Sequence, residues 1–175
     1  MALLLFVALL SPLSRAMGSR KIDGPPPTTV EKVDVERYMG RWYELARFEQ
    51  SYEKGCVGVT AEYALRDDGR LDVINTCYEK TLDGKRRQAK GKAYVADKET
   101  NAKLRVSFFW PFYGDYWVFR LGDDYEYAVV GSPDRDSLWI LSRRPSLDPE
   151  TYDRLVREMS REGFDMTRLQ VTPQR

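Results

Sequence analysis

From about residue 40 to residue 143 the chain is a run of short β signals, each closed by turn chemistry, with no helical periodicity between them. Residues 57–65 show the pattern most clearly. Val57, Val59, Ala61, Tyr63 and Leu65 share one parity and Thr60 and Glu62 the other, the two-residue period of a half-buried strand. Arg66-Asp67-Asp68-Gly69 turns the chain, and residues 71–77 return it as the second arm of a hairpin. Comparable segments occupy 41–47, 87–96, 103–109, 116–121, 125–131 and 137–143, which makes eight strands. Asp83-Gly84, residues 97–101, residues 111–114, Gly122-Asp123-Asp124 and Ser132-Pro133-Asp134 supply the breaks. Consecutive strands without intervening helices pair as an antiparallel up-and-down meander. Eight of them close most economically into a barrel whose interior holds one small ligand. The expected fold is therefore all-β, an eight-stranded antiparallel up-and-down β-barrel with one C-terminal amphipathic helix.

That helix is where the period changes. Asp148 is placed as N-cap and Pro149 as the first helical residue, while Tyr152, Leu155, Val156 and Met159 form an apolar stripe at helical spacing and Gly163 a stop. Residues 169–172 read as a short terminal strand added to the barrel edge.

Composition narrows the chemistry such a barrel can carry. The 175 residues include no histidine, which removes imidazole general bases, His-dependent nucleophile pairs and imidazole metal sites. Two cysteines are too few for a thiolate cage or an iron-sulfur cluster, so neither metal nor cofactor is expected. With 28 basic and 27 acidic residues, a net charge of +1, a nucleic-acid partner is not expected either.

The N-terminal residues read separately. Residues 2–10 are an unbroken apolar run, too short for a membrane-spanning helix, followed by Ser14-Arg15-Ala16 with small residues where signal peptidase cleaves. Residues 1–16 are expected to be a signal peptide, residues 17–29 a proline-rich linker and residues 30–175 the folded domain; the alternative is a start at Met17. The mature protein is expected to be periplasmic or secreted, with outer-membrane association conceivable, though no cysteine follows the apolar run to carry a lipid anchor.

Several ordered motifs carry a resemblance. They are Gly40-Arg41-Trp42-Tyr43-Glu44, Val59-Thr60-Ala61 with Tyr63, Arg66-Asp67-Asp68-Gly69, Val73 with Asn75, Gly91-Lys92-Ala93, Val106-Ser107-Phe108-Phe109 and Pro111-Phe112-Tyr113-Gly114. Ser137-Leu138-Trp139-Ile140-Leu141-Ser142-Arg143, with Pro145 after it, ends the series. Together, over residues 30–171, they resemble the lipocalin family, in particular the bacterial lipocalins close to apolipoprotein D. The middle signature of the family, Thr-Asp-Tyr, stands here as Asp123-Asp124-Tyr125 after Gly122. The resemblance implies a non-enzymatic barrel that binds fatty acids or lysophospholipids, as a monomer or homodimer. It also implies that Arg143 lies over Trp42 at the closed end, with Gly40 giving the backbone room to bend; these three are structural residues.

Strand parity, choosing the face opposite the charges, assigns the cavity lining. Val59, Ala61, Tyr63, Leu71, Val73, Asn75, Leu104, Val106, Phe108, Trp117, Phe119, Tyr125, Tyr127 and Val129 form that set. With Trp42 at the closed end, the loops near 48–55, 79–86, 110–114 and 131–136 fall at the mouth. Phe109, Trp110, Phe112 and Tyr113 there suit gripping an acyl chain or touching a membrane surface. Lys54, Lys80, Lys85, Arg86 and Arg87 lie close by, either to meet an anionic headgroup or simply as a solvated face. Cys56 and Cys77 sit on neighbouring strands and a disulfide is expected after export, but strict alternation puts them on opposite faces, so Gly58 or a bulge must rotate one of them. A reduced Cys77 facing inward would instead make a nucleophile, leaving a cavity-thiol enzyme as the alternative to a carrier of this or another small hydrophobic ligand.

Overall fold

The computed structural model describes residues 24–175; the expected signal peptide and the first part of the linker lie outside the described residues. Strands β1 (Gly40–Phe48), β2 (Cys56–Leu65), β3 (Leu71–Glu79), β4 (Arg86–Val95), β5 (Lys103–Phe109), β6 (Phe112–Leu121), β7 (Tyr127–Gly131) and β8 (Leu138–Ser142) follow one another, each antiparallel to the next. β8 then pairs with β1 and closes the barrel. Further elements flank the barrel. A four-residue helix α1 (Val35–Tyr38), capped by Asp34, precedes β1, and after helix α2 (Pro149–Arg161) the strand β9 (Leu169–Val171) pairs with the end of β1. β1 thus has two partners on one edge, β2 along residues 40–43 and β9 along residues 46–48.

Eight strands leave two places for apolar side chains, and both are filled. Inside the barrel, Trp42, Ala61, Tyr63, Leu71, Val73, Ala93, Leu104, Val118, Ala128, Val130 and Leu141 pack together with Val33 and Tyr38 below them. Outside, α2 lays Leu155 and Met159 on a patch built from Ala46, Phe48, Phe119, Val129, Leu138 and Ile140, with Phe164 beside them. Two ion pairs fasten the same helix, from Arg120 to Glu158 at 2.7 Å and to Glu162 at 3.0 Å. The N-terminal segment runs along this side as well. Thr28 N–H donates to Glu162 at 3.0 Å, Val30 N–H to the Val118 carbonyl at 3.0 Å, and Arg135 Nη2 to the Pro25 carbonyl at 2.7 Å.

The helix-facing patch corrects part of the parity assignment. Trp117, Phe119, Tyr127 and Val129 point out toward α2, and their neighbours Tyr116, Val118, Ala128 and Val130 point inward. β7 is apolar on both faces because one meets the barrel interior and the other a helix, and in β6 a bulge between Val118 and Arg120 turns the charged Arg120 to the helix side with Phe119, so the face opposite the charge is not the inward one. Tyr125 also leaves the cavity: it is a turn residue with φ +60°, its hydroxyl accepts from Asp34 N–H at 2.8 Å, and the Arg37 guanidinium lies 4.2 Å over its ring.

Candidate ligand cavity

The closed end is built from β1 and α1. Gly40 turns the chain with φ +91°, and Trp42 follows completely buried, its Nε1 donating to the Tyr38 carbonyl at 2.9 Å. Arg143 covers the indole from outside at 3.9 Å and donates to the carbonyls of Arg41 (2.9 Å) and Arg37 (2.7 Å). Above this floor stands a phenol network. The Tyr38 and Tyr116 hydroxyls are 2.8 Å apart, and Tyr63 donates to Tyr116 at 3.0 Å. Burial raises all three phenols, Tyr63 to about 12, so they stay neutral donors and acceptors at any physiological pH.

Over the floor opens a cavity of about 680 Å³, within the range of small-molecule sites. Val59, Ala61, Tyr63, Val73, Asn75, Val106, Phe108, Phe112 and Tyr113 lie on its wall, as do Phe109, Cys77 and Cys56. Leu71 and Leu104 point inward but belong to the packed core lower down. Trp110 is not on the wall; it is 80% exposed at the tip of the β5–β6 hairpin, next to Phe109 and Phe112, whose rings stack on each other and are 75% and 71% exposed. Among the basic residues, Arg87 alone of Lys80, Lys85, Arg86 and Arg87 reaches the wall, and it stands 3.7 Å from Glu79. Lys80, Lys85 and Arg86 are exposed on the β3–β4 hairpin.

Cys56 and Cys77 are joined in a disulfide, with Cα atoms 5.5 Å apart. The register of β2 against β3 shifts between Val57 and Thr60, and Gly58 inside that interval has φ +57°. A side chain there would also meet Tyr78 and Leu82 at 3.1 Å, so the glycine supplies both the rotation and the space that strict alternation lacked. Bonded to Cys56, the Cys77 sulfur is not a thiolate, and a cavity nucleophile would require prior reduction.

One group on the wall was missed by the sequence reading. Glu44, Arg47 and Glu53 are 3%, 4% and 8% exposed, and both carboxylates line the cavity. Arg47 Nη1 donates to Glu44 at 2.7 Å, Thr172 Oγ1 donates to the same carboxylate oxygen at 2.6 Å, and Trp139 Nε1 donates to Glu53 at 3.2 Å. The other Arg47 nitrogen, Nη2, holds the carbonyls of Glu53 and Cys56. Burial, and then the Glu44 charge, push Glu53 up to about 7, and burial raises Glu44 as well. The available signal was spacing: Trp42 and Glu44 lie two apart on one strand, so an inward Trp42 places Glu44 inside.

A closed eight-stranded barrel with a floored end, a lined cavity and one helix on its flank is the architecture of a small-ligand binding protein. The chain belongs to the lipocalin family: the family profile described as a lipocalin-like domain matches residues 33–174. It is 48% identical over 141 residues to the outer membrane lipoprotein Blc of Escherichia coli K12, covering 81% of this chain and 79% of that one. It is 38% identical over 161 residues to mouse apolipoprotein D, covering 86% and 82%. Insecticyanin from the tobacco hornworm Manduca sexta shares the fold, with a TM-score of 0.66 at 21% identity over 85% of this chain and 84% of that one. Proteins of this family bind small hydrophobic ligands.

Proposed function

We propose that this protein is a non-enzymatic carrier of single-chain lipids, fatty acids and lysophospholipids, held in the barrel cavity and exchanged in the cell envelope. The observation that carries this reading is the 680 Å³ cavity, apolar through most of its wall and open beside three exposed aromatic rings. Each buried methylene contributes about 0.8 kcal/mol, so ten of them supply about 8 kcal/mol before binding entropy, enough for micromolar affinity. Phe109, Trp110 and Phe112 present at the mouth the aromatic surface that suits a bilayer interface, where such ligands are collected and delivered. The names of the bacterial relatives describe outer membrane lipoproteins, and the apolar residues 2–10 read as an export signal; both support an envelope location.

Trp139 lines the cavity and is the natural reporter. Addition of a long-chain fatty acid or lysophospholipid should change its emission saturably at one ligand per barrel, and Trp139→Phe should abolish that change. No saturable response to either lipid at tens of micromolar, confirmed by calorimetry, would remove the reading.

A further inference from the structure

The cavity wall is not electrically neutral. Glu44 and Glu53 both line it, and the one guanidinium between them, Arg47, sits behind the wall. Arg47 spends its hydrogen bonds elsewhere. Its Nη1 is bonded to Glu44 and its Nη2 to two backbone carbonyls. Its Nε is buried without a hydrogen-bond partner among the described residues, 3.9 Å from Glu53 Oε2 and so too far to hydrogen-bond it. Glu53 is therefore a buried carboxylate that has one ion-pair contact with Arg47 at 3.9 Å and, among the described residues, one hydrogen-bond donor, the neutral Trp139 indole. On β3, Asn75 adds to the same cavity a buried Oδ1 acceptor with no partner among the described residues. Acceptors at the wall thus exceed the donors that meet them, and negative charge exceeds positive.

The geometry points to a polar subsite at Glu53 and Glu44 that takes the protonated amine of an amphiphile whose chain fills the cavity. An ammonium brings only donors and one positive charge, which is what two buried carboxylates sharing one guanidinium lack. A carboxylate headgroup brings the opposite on both counts and is turned away from this pole, toward Arg87 on β4, three strands along the barrel from β1. The inference rests on the cavity being the lipid site.

The raised Glu53 carboxyl supports the assignment, because an incoming ammonium would bind its ionised form and displace the proton. The groups that set this ionisation are Glu44, Arg47 and Glu49 on the first strand and the residues after it, and Trp139 on β8. Tyr52 and Tyr63 feel the same two carboxylates, and as neutral phenols they add no charge.

Dodecylamine, 1-dodecanol and dodecanoate share one chain and differ in head, so their affinities, measured by calorimetry below micellar concentration, separate the two readings. At pH 8 the wild-type barrel should bind the amine about tenfold more tightly than the alcohol. Glu53→Gln should bring the two within about threefold and tighten dodecanoate. In the wild-type protein, with no substitution to disturb folding, the amine preference should shrink at pH 5.5 although the amine stays charged. Equal affinity for amine and alcohol at pH 8, or a preference that Glu53→Gln leaves intact, overturns the subsite while leaving the cavity reading standing. Binding of none of the three chains overturns the cavity reading and the subsite with it.

Discussion

The guanidinium of Arg143 lies 3.9 Å over the indole of Trp42 and ties the carbonyls of Arg41 and Arg37, so one side chain joins the last barrel strand's end to the first strand and to α1. The pair seals the floor, and Arg143 stands on the far side of Trp42 from the cavity. Replacing Arg143 by Met removes a cation–π contact of about 0.5–2 kcal/mol and two hydrogen bonds of about 1 kcal/mol each. We expect a loss of about 2.5–4 kcal/mol, a melting temperature lower by about 5–16 °C, and unchanged affinity for lipid in the folded protein. Thermal denaturation and a lipid titration at 20 °C check both halves; a large affinity loss at full folding would show that the pair shapes the cavity.

The two faces of the barrel wall should respond differently to substitution. Phe119 is fully buried against α2, and Phe119→Ala should cost about 3–5 kcal/mol by the cavity it leaves, without changing the lipid site directly. Val106 faces the open cavity, and Val106→Trp should change stability by no more than about 1 kcal/mol while lowering lipid affinity at least tenfold. Urea unfolding alongside ligand titration distinguishes them, and the reverse pattern would put the ligand between barrel and helix.

These faces also mark how far the sequence could be read. In β2 and β3 one face is mostly apolar and the other carries Thr60, Glu62 and Asp72, so period-two alternation puts Val59, Ala61, Tyr63, Val73 and Asn75 on the cavity side, where they lie. β7 reads YAVVG, apolar at every position, and its inward face is decided by where α2 docks, a tertiary fact with no local signature. In β6 the bulge between Val118 and Arg120 turns Arg120 to the α2 side, so its charge marks the wrong face. α1 is too short, at four residues, to show a period at all. The Glu44–Arg47–Glu53 group escaped because strands β1 and β8, the turn after β1 and Thr172, just past β9, meet only in the closed barrel.

The disulfide closes a loop with a sequence separation of 21 residues. Chain entropy alone assigns such a link about 3 kcal/mol. The double variant Cys56→Ser, Cys77→Ser should lower the melting temperature by about 6–12 °C and still bind lipid, since the sulfur does no chemistry in a carrier. Iodoacetamide should label no cysteine in the denatured, unreduced protein and two after reduction; loss of a turnover activity in the variant would reinstate a thiol enzyme.

Glu53 gives stability a measurable pH dependence. Its carboxyl is raised in the fold to about 7, by burial first and by Glu44 second, above the roughly 4.3 of an unfolded glutamate. The folded state therefore holds a proton that the unfolded state releases between these values, and its contribution is fully present below pH 4.3 and lost as pH rises through 7. Glu53→Gln cannot ionise, so it should be more stable than wild type at pH 8, by on the order of 2 kcal/mol, with the gap closing near pH 5. Chemical denaturation of both proteins at the two pH values provides the comparison, and a gap that does not change with pH would place the ionisation elsewhere.

At the mouth, charge and aromatic surface should fail in different ways. Arg87 lines the wall whereas Lys80, Lys85 and Arg86 point to solvent, so the four basic residues are not equivalent. Arg87→Glu should weaken dodecanoate relative to 1-dodecanol, and the penalty should shrink as salt rises, because charges at an open rim are screened over about 8 Å at physiological ionic strength. Reversing Lys80 and Lys85 together should leave that ratio unchanged. Replacing Phe109, Trp110 and Phe112 by Ser removes three exposed rings that stand beside the cavity opening, which should slow transfer of every long-chain ligand from vesicles alike, whatever its head and with little salt dependence. Stopped-flow transfer from liposomes measures the rate, and equilibrium titration measures the ratio. If Arg87→Glu shifts acid and alcohol equally, the rim basic residues serve only as a solvated face, and selection among headgroups falls to the carboxylates of Glu44 and Glu53 on the opposite wall.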